Sequence, residues 1–254
     1  MLEFRHVNVS CGRTPILNDI SVIFNKGEIT TIVGPNGCGK TTLLQCLNGS
    51  SKVTSGWILL DKIPFLDLPP KKRALKLSFL PQIRTIIPSL PVRTLVEHGR
   101  FPHLGFSRQK SIQDREIVEN VMRFTHVEEY ADQFTDTLSG GIRQRVFFAM
   151  VLAQNCEYIV LDEPTTYLDL AGQQEFLEMF LQLKEEGRTI ILVLHDLAQA
   201  MEISDRIVVM NRRQIAAVGT PKECLEQGWL EEVFRVQVKK FMDGEEAYYF
   251  FKGK

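Results

Sequence analysis

Apolar positions punctuate the first 33 residues as in strands and turns, with Leu2, Phe4, Val7 and Val9, then Ile20, Val22 and Phe24. Turns are predicted around Gly12 to Pro15 and at Lys26-Gly27, and the apolar run Glu28 to Val33 ends in glycine. From about Arg84 to Gln154 the spacing becomes helical. Ile117, Val121 and Phe124 share one predicted face, and Ile142, Val146, Ala149, Met150 and Ala153 share another. From Tyr158 onward strands alternate with helices: Tyr158 to Leu161, a helix near Gln173 to Glu186, Thr189 to Leu194, a helix near Leu197 to Ile203, then Ile207 to Met210. Such alternation predicts an α/β fold with a mainly parallel sheet, an antiparallel β part at the N-terminus and an inserted helical subdomain. The last residues, Pro221 to Lys254, read as two short helices and a hairpin turning at Asp243-Gly244. The expected division is a nucleotide-binding core of residues 1–83 and 155–220, a helical subdomain 84–154 and an extension 221–254, all within one domain.

Composition narrows the function classes. The chain has 254 residues, 44% hydrophobic and 24% charged, as an ordinary globular protein does. Its 30 Lys plus Arg against 31 Asp plus Glu give a formal charge of -1, so no basic bias points to nucleic acid. No stretch approaches the roughly 18 uncharged apolar residues of a membrane-spanning helix. Glu3 and Arg5 stand where a secretory signal would be apolar. Five cysteines, Cys11, Cys38, Cys46, Cys156 and Cys224, are odd in number and form no CxxC pair, which suits free thiols in a reducing compartment. The expectation is a soluble cytoplasmic protein.

The chemistry concentrates in a few motifs. Gly34-Pro35-Asn36-Gly37-Cys38-Gly39-Lys40-Thr41 fits GxxxxGK[ST], after a strand-like run and before the helical Thr42 to Leu47. Glycines let backbone N–H groups and a helix N-terminus close around phosphates; Lys40 is expected to reach the β- and γ-phosphates and Thr41 to bind Mg²⁺. Tyr158 to Leu161 is a buried-strand run that ends in two carboxylates. Asp162 fits a Mg²⁺ partner and Glu163 a group that orients or deprotonates the attacking water, whereas alone they would be a solvated strand end. Leu138-Ser139-Gly140-Gly141 opens a helix, and Ser139 reads equally as its cap or as part of an anion site. His195 follows a strand, where it either senses a γ-phosphate or is structural. Gln82 closes Leu80-Pro81-Gln82 at the entry to the helical part, placed to touch Mg²⁺ or water.

The phosphate loop, Gln82, Leu138 to Gly141, Leu161 to Pro164, Leu168-Asp169 and His195 occur in the order found in ABC-transporter ATPase subunits, and the chain resembles that family over essentially its whole length. The resemblance implies ATP and Mg²⁺ as cofactors and a head-to-tail homodimer in which Ser139, Gly140 and Gly141 of one subunit close on the γ-phosphate held by the other. By position, Gln82 resembles the Q-loop glutamine, Glu163 the catalytic base, Asp169 the D-loop acid at the dimer contact and His195 the switch histidine. Thr42 belongs with the nucleotide-binding loop. Glu163 to Asp169, Gly99-Arg100-Phe101-Pro102-His103, Ser78 to Gln82 and His195 to Ala200 are similar to importers of iron(III)-siderophores, haem and vitamin B12. That type implies separate permease subunits, an extracytoplasmic binding protein and a peripheral place on the inner face of the membrane; a soluble ABC ATPase in cofactor assembly or regulation would carry the same motifs. Two departures stand out. Cys11 occupies the position where relatives put an aromatic residue under adenine, leaving Arg13 as a candidate substitute, and Ile142 follows the two glycines where a polar residue is usual.

Overall fold

The computed structural model describes residues 1–12, 14–82, 89–105, 109–244 and 246–253. In chain order the elements are β1 (Leu2–Cys11), β2 (Thr14–Phe24), β3 (Ile29–Val33), α1 (Lys40–Asn48), β4 (Val53–Leu60), β5 (Ile63–Pro64), α2 (Pro70–Ala74), β6 (Leu77–Leu80), α3 (Val92–His98), α4 (Ile112–Phe124) and α5 (Gly140–Ala153). They continue with β7 (Tyr158–Asp162), α6 (Leu170–Glu185), β8 (Thr189–Val193), α7 (Leu197–Ile203), β9 (Arg206–Asn211), β10 (Gln214–Gly219), α8 (Pro221–Glu226), α9 (Trp229–Phe234), β11 (Val236–Asp243) and β12 (Glu246–Gly253). Two compact units divide the chain: Met1–Leu68 with Leu183–Lys254, and Pro69–Gln182. The expected start of the helical part at Arg84, like Arg13, lies outside the described residues.

The first unit holds an antiparallel sheet in the order β2-β1-β4-β5. In its two N-terminal strands Leu2, Phe4, Val7, Val9, Ile20, Val22 and Phe24 are all buried, and a register shift between Phe4 and Val7 lets both even and odd positions of β1 face the core. Against it stands a second set, in which β3 pairs in parallel with both β8 and β9, while β10 returns antiparallel on β9. Every residue of β3 and of β8 is buried, as strands covered on both faces require. The Asn18 N–H donates to the Arg213 carbonyl at 2.9 Å, joining the middle of β2 to the β9–β10 turn. The pairing strand β4 and the return strand β10 were not marked by the sequence pattern: in β4 exposed Thr54 and Ser55 follow half-buried Val53, and β10 is exposed or half-buried up to Gly219.

The second unit is mainly helical, with β6 and β7 paired in parallel. Its core joins Val92, Leu95 and Val96 of α3, Val118 and Met122 of α4, and Val146, Ala149 and Ala153 of α5. The α5 face is the one its spacing predicts, and its opposite side carries Phe148 into edge and tilted contacts with Phe176 and Phe180 of α6. The α4 face needs correction: Asp114, Val118 and Met122 turn inward, and Ile117, Val121 and Phe124 are only half-buried. The cause is ionic. Asp114 completes a capping box with Ser111 and meets the buried Arg100 at 2.9 Å, which holds the Asp114, Val118 and Met122 side of the helix inward.

Candidate functional site

In the first unit the loop between β3 and α1 is held on two sides. A Cβ at Gly34 would stand 2.4 Å from the Met210 carbonyl of β9, and one at Gly39 would stand 2.6 Å from Leu17 and 3.1 Å from the Ile16 carbonyl of β2. Gly37 and Gly39 also take positive φ, 77° and 108°, which glycine alone adopts cheaply. The loop is therefore wrapped closely by backbone, and Gly39 starts α1 in a left-handed conformation with no side-chain cap on the first N–H groups. Those donors are the ordinary requirement of an anion site. Lys40 is buried, and its ammonium donates to the carbonyls of Gly34 at 2.6 Å and Pro35 at 3.3 Å, curled over the loop. Asn36 is exposed, Pro35, Thr41 and Thr42 are half-buried, and Cys38 is buried. Burial pushes the Cys38 thiol up despite Lys40 nearby, so it packs as a small apolar group and not as a thiolate.

His195 lies in the same unit, exposed, two residues beyond β8. Asp196 beside it caps α7, accepting from the N–H groups of Ala198 and Gln199. Cys11 is exposed at the end of β1.

The second unit gathers Gln82, Ser139, Gly140, Gly141, Asp162, Glu163 and Asp169. Asp162 ends β7 almost wholly buried. Glu163 follows with φ of 54°, an uncommon conformation for a residue with a side chain, and its carboxylate accepts from the Gln82 amide at 2.6 Å. Sheet register explains the meeting. Leu80 of β6 pairs with Leu161 of β7, so two residues further on each chain Gln82 and Glu163 leave the same edge side by side.

Ser139 caps α5, its hydroxyl accepting from the Ile142 N–H at 3.4 Å, and Gly140 is exposed at the helix start. Cβ atoms at Gly140 and Gly141 would meet Tyr167 at 3.5 Å and Leu168 at 3.4 Å. Ile142 packs against the α3–α4–α5 core, which accounts for an apolar side chain there. Asp169 caps α6, accepting from the Gly172 N–H at 2.9 Å. Gln144 was missed by sequence reasoning. Buried in α5, it donates to the Pro164 carbonyl at 2.8 Å and so ties the helix that follows Ser139 to the loop that carries Glu163. Its neighbours Arg143 and Arg145 make Gln144 read as part of a polar stretch, so the sequence carried no clear signal for it.

Among the described residues no helix is long and apolar enough to cross a membrane, and no three His, Cys, Asp or Glu cluster as a metal site. Residues 17–166 match the family model described as ABC transporter. The chain is 41% identical over 237 residues to the petrobactin import ATP-binding protein FpuD of Bacillus anthracis, covering 93% of this chain and 87% of that one. It is 38% identical over 244 residues to the iron(3+)-hydroxamate import ATP-binding protein FhuC of Bacillus subtilis, covering 95% and 90%. A dimeric bacterial ABC transporter cassette of known structure superposes with a TM-score of 0.79 at 28% identity, covering 87% of this chain and 99% of that one. An α/β fold with a helical part, a phosphate-type loop ahead of α1, a glycine-rich start to α5 and likeness along nine-tenths of the sequence lead to one conclusion: the chain belongs to the ABC transporter family of ATP-binding proteins.

Proposed function

We propose that the chain is the ATP-hydrolysing subunit of an importer of iron(III)-siderophores, haem or a related metal chelate, driving permease subunits that are separate chains on the inner face of the membrane. The observation that carries this reading is the likeness over nine-tenths of the chain to ATP-binding proteins named for petrobactin and iron(3+)-hydroxamate import. In this reading Gly34 to Thr42 hold the phosphates of ATP, with Lys40 leaving its loop carbonyls for the β- and γ-phosphates. The Thr41 hydroxyl, Gln82 carbonyl and Asp162 carboxylate are hard oxygen donors of the kind that suits Mg²⁺. Bound there, Mg²⁺ would neutralise charge on the phosphates.

Glu163 accepts the proton of the water that attacks the γ-phosphorus, and ADP and inorganic phosphate leave. His195 orients the γ-phosphate, while Ser139, Gly140, Gly141 and Asp169 serve the nucleotide-bound homodimer that the dimeric cassette structures support for the family. An extracytoplasmic binding protein delivers the chelate.

Glu163→Gln tests the reading, since the amide keeps the hydrogen-bonding shape and removes the base. ATP turnover should fall by about 10²-fold or more with ATP still bound. The same variant, tagged and recovered from detergent-solubilised membranes with ATP and Mg²⁺, should bring down a polytopic membrane protein. Turnover at the parental rate would remove Glu163 as base, and recovery of soluble proteins alone would favour the soluble ATPase.

A further inference from the structure

Glu163 takes its left-handed φ of 54° immediately before a proline, whose ring crowds the preceding backbone towards extended conformations. Such a conformation lasts only where its surroundings hold it. The loop that follows is a run of turns, in which the Thr166 N–H donates to the Glu163 carbonyl and the Leu168 N–H to the Thr165 carbonyl, both at 3.3 Å. Pro164 is buried, and its carbonyl accepts from the Gln144 amide at 2.8 Å. A proline has no N–H, so that carbonyl is the whole of its backbone hydrogen bonding.

Gln144 stands in the second turn of α5, about 8 Å along the axis from the Ser139 cap. Between the two, the same loop lies against the helix: Cβ atoms at Gly140 and Gly141 would be in ordinary contact with Tyr167 and Leu168. Beyond Gln144, Arg145 pairs with Glu175 at 2.6 Å and lies over the Phe176 ring, which fastens α5 to α6. Apolar contacts let a helix slide, whereas a buried hydrogen bond is directional. A shift of α5 by about 1 Å along the loop would stretch the Gln144 bond out of range. The glycine-rich start of α5 and the backbone beneath Glu163 are thus held in one register by this side chain.

We propose that Gln144 is a positioning residue that couples the two ATP sites of the homodimer: the chain that closes Ser139, Gly140 and Gly141 on its partner's nucleotide sets its own Glu163 in the same movement. This rests on the roles given above to Ser139 and Glu163. Hydrolysis at one site then depends on nucleotide at the other.

Steady-state ATP hydrolysis by the full chain tests it. Gln144→Met keeps the length of the side chain and removes the N–H; kcat should fall about fivefold, the worth of one hydrogen bond, with KM unchanged. Ser139→Ala should lower kcat as well, and the two changes together should cost less than about twofold beyond the slower single variant, because both break one link. Effects that multiply, or a change in KM alone, would make Gln144 a structural tie and overturn the proposal. Amide exchange read by mass spectrometry needs no turnover and no change at position 144. In Glu163→Gln with Mg²⁺, residues 140–144 and 164–168 should become protected over the same range of ATP concentration, and protection at separate concentrations overturns the link. Adding Gln144→Met should keep the first protection and reduce the second; equal protection of the loop in both variants counts against it. The reading beneath fails separately. Glu163→Gln at the parental rate removes the base, whereas an inactive Glu163→Gln beside a Gln144→Met variant of parental kcat removes the link alone.

Discussion

Replacing Arg100 by Ala should be among the most damaging single changes in the second unit. The guanidinium is about 5% exposed, gives its Nε–H to Asp114 at 2.9 Å and an Nη1–H to the Ala153 carbonyl at 2.7 Å, and thereby ties α3, α4 and α5 together. Breaking one side of a buried ion pair costs about 3–5 kcal/mol. Here the abandoned carboxylate keeps the Ser111 hydroxyl and N–H, both donating to its other oxygen at 2.7 and 2.8 Å, which places Arg100→Ala at the lower end, about 3 kcal/mol. At an ordinary urea sensitivity that loss moves the unfolding midpoint by about 1 M or more. The Ser111 hydroxyl first, then the Ser111 N–H and Arg100, hold the Asp114 carboxyl down at about 2. A folded value below the unfolded one stabilises above pH ~4 and is lost as the pH falls through ~2, a contribution of about 1–2 kcal/mol after allowing for solvent screening. Asp114→Asn should therefore lose stability at pH 7 and show a flatter acid limb between pH 4 and 2. Urea unfolding followed by circular dichroism decides it: an Arg100→Ala midpoint within 0.3 M of the parent would refute a structural role for the pair.

Gly34→Ala puts a methyl group 2.4 Å from a strand carbonyl and 2.7 Å from the Cys38 sulfur, so the phosphate loop must shift; ATP should bind roughly tenfold more weakly, and unchanged affinity in a fluorescent-nucleotide titration would contradict the close approach. Burial drives the Cys46 and Cys224 thiols up to about 12 and Cys38 and Cys156 are also buried, leaving Cys11 exposed. The native chain at pH 8 should therefore take up one equivalent of a thiol reagent quickly, and Cys11→Ser none.

Where burial is two-sided or strictly alternating, the sequence pattern suffices: β3, β8 and α7 lie where runs of apolar residues and an Asp196 cap place them. The pattern fails where a polar group organises packing. The face of α4 is set by Asp114 reaching Arg100, and a hydropathy count weighs that carboxylate as solvent-facing. Gly99-Arg100-Phe101-Pro102-His103 is similar in this way. As letters it serves only as a resemblance, whereas in the fold a Cβ on Gly99 would strike the Met150 carbonyl at 2.2 Å, Arg100 is the buried tie, and the His103 ring meets the Gln154 carbonyl at 2.7 Å. The strand–loop–helix context of Gly34 to Thr41 was legible from its spacing, but the reason Gly34 must be glycine, the approach of Met210 from 176 positions away, was not.

Glu163 is positioned by more than the strand it follows. Its left-handed backbone costs about 1–2 kcal/mol relative to an extended residue, and the surrounding loop must supply that energy. Two glutamines of the same unit contribute to it: Gln82 donates to the carboxylate itself and Gln144 to the next residue's carbonyl. A half-buried, charge-assisted hydrogen bond contributes about 1 kcal/mol, comparable with the strain, so neither glutamine alone fixes the conformation. Gln144 is anchored in α5 and holds the backbone. Gln82 begins where β6 ends and holds only the acid's head group. Gln82 therefore bears on where the Glu163 carboxylate points, and Gln144 on the backbone of the loop that carries it, so Gln82→Ala should disturb the side chain more than the loop.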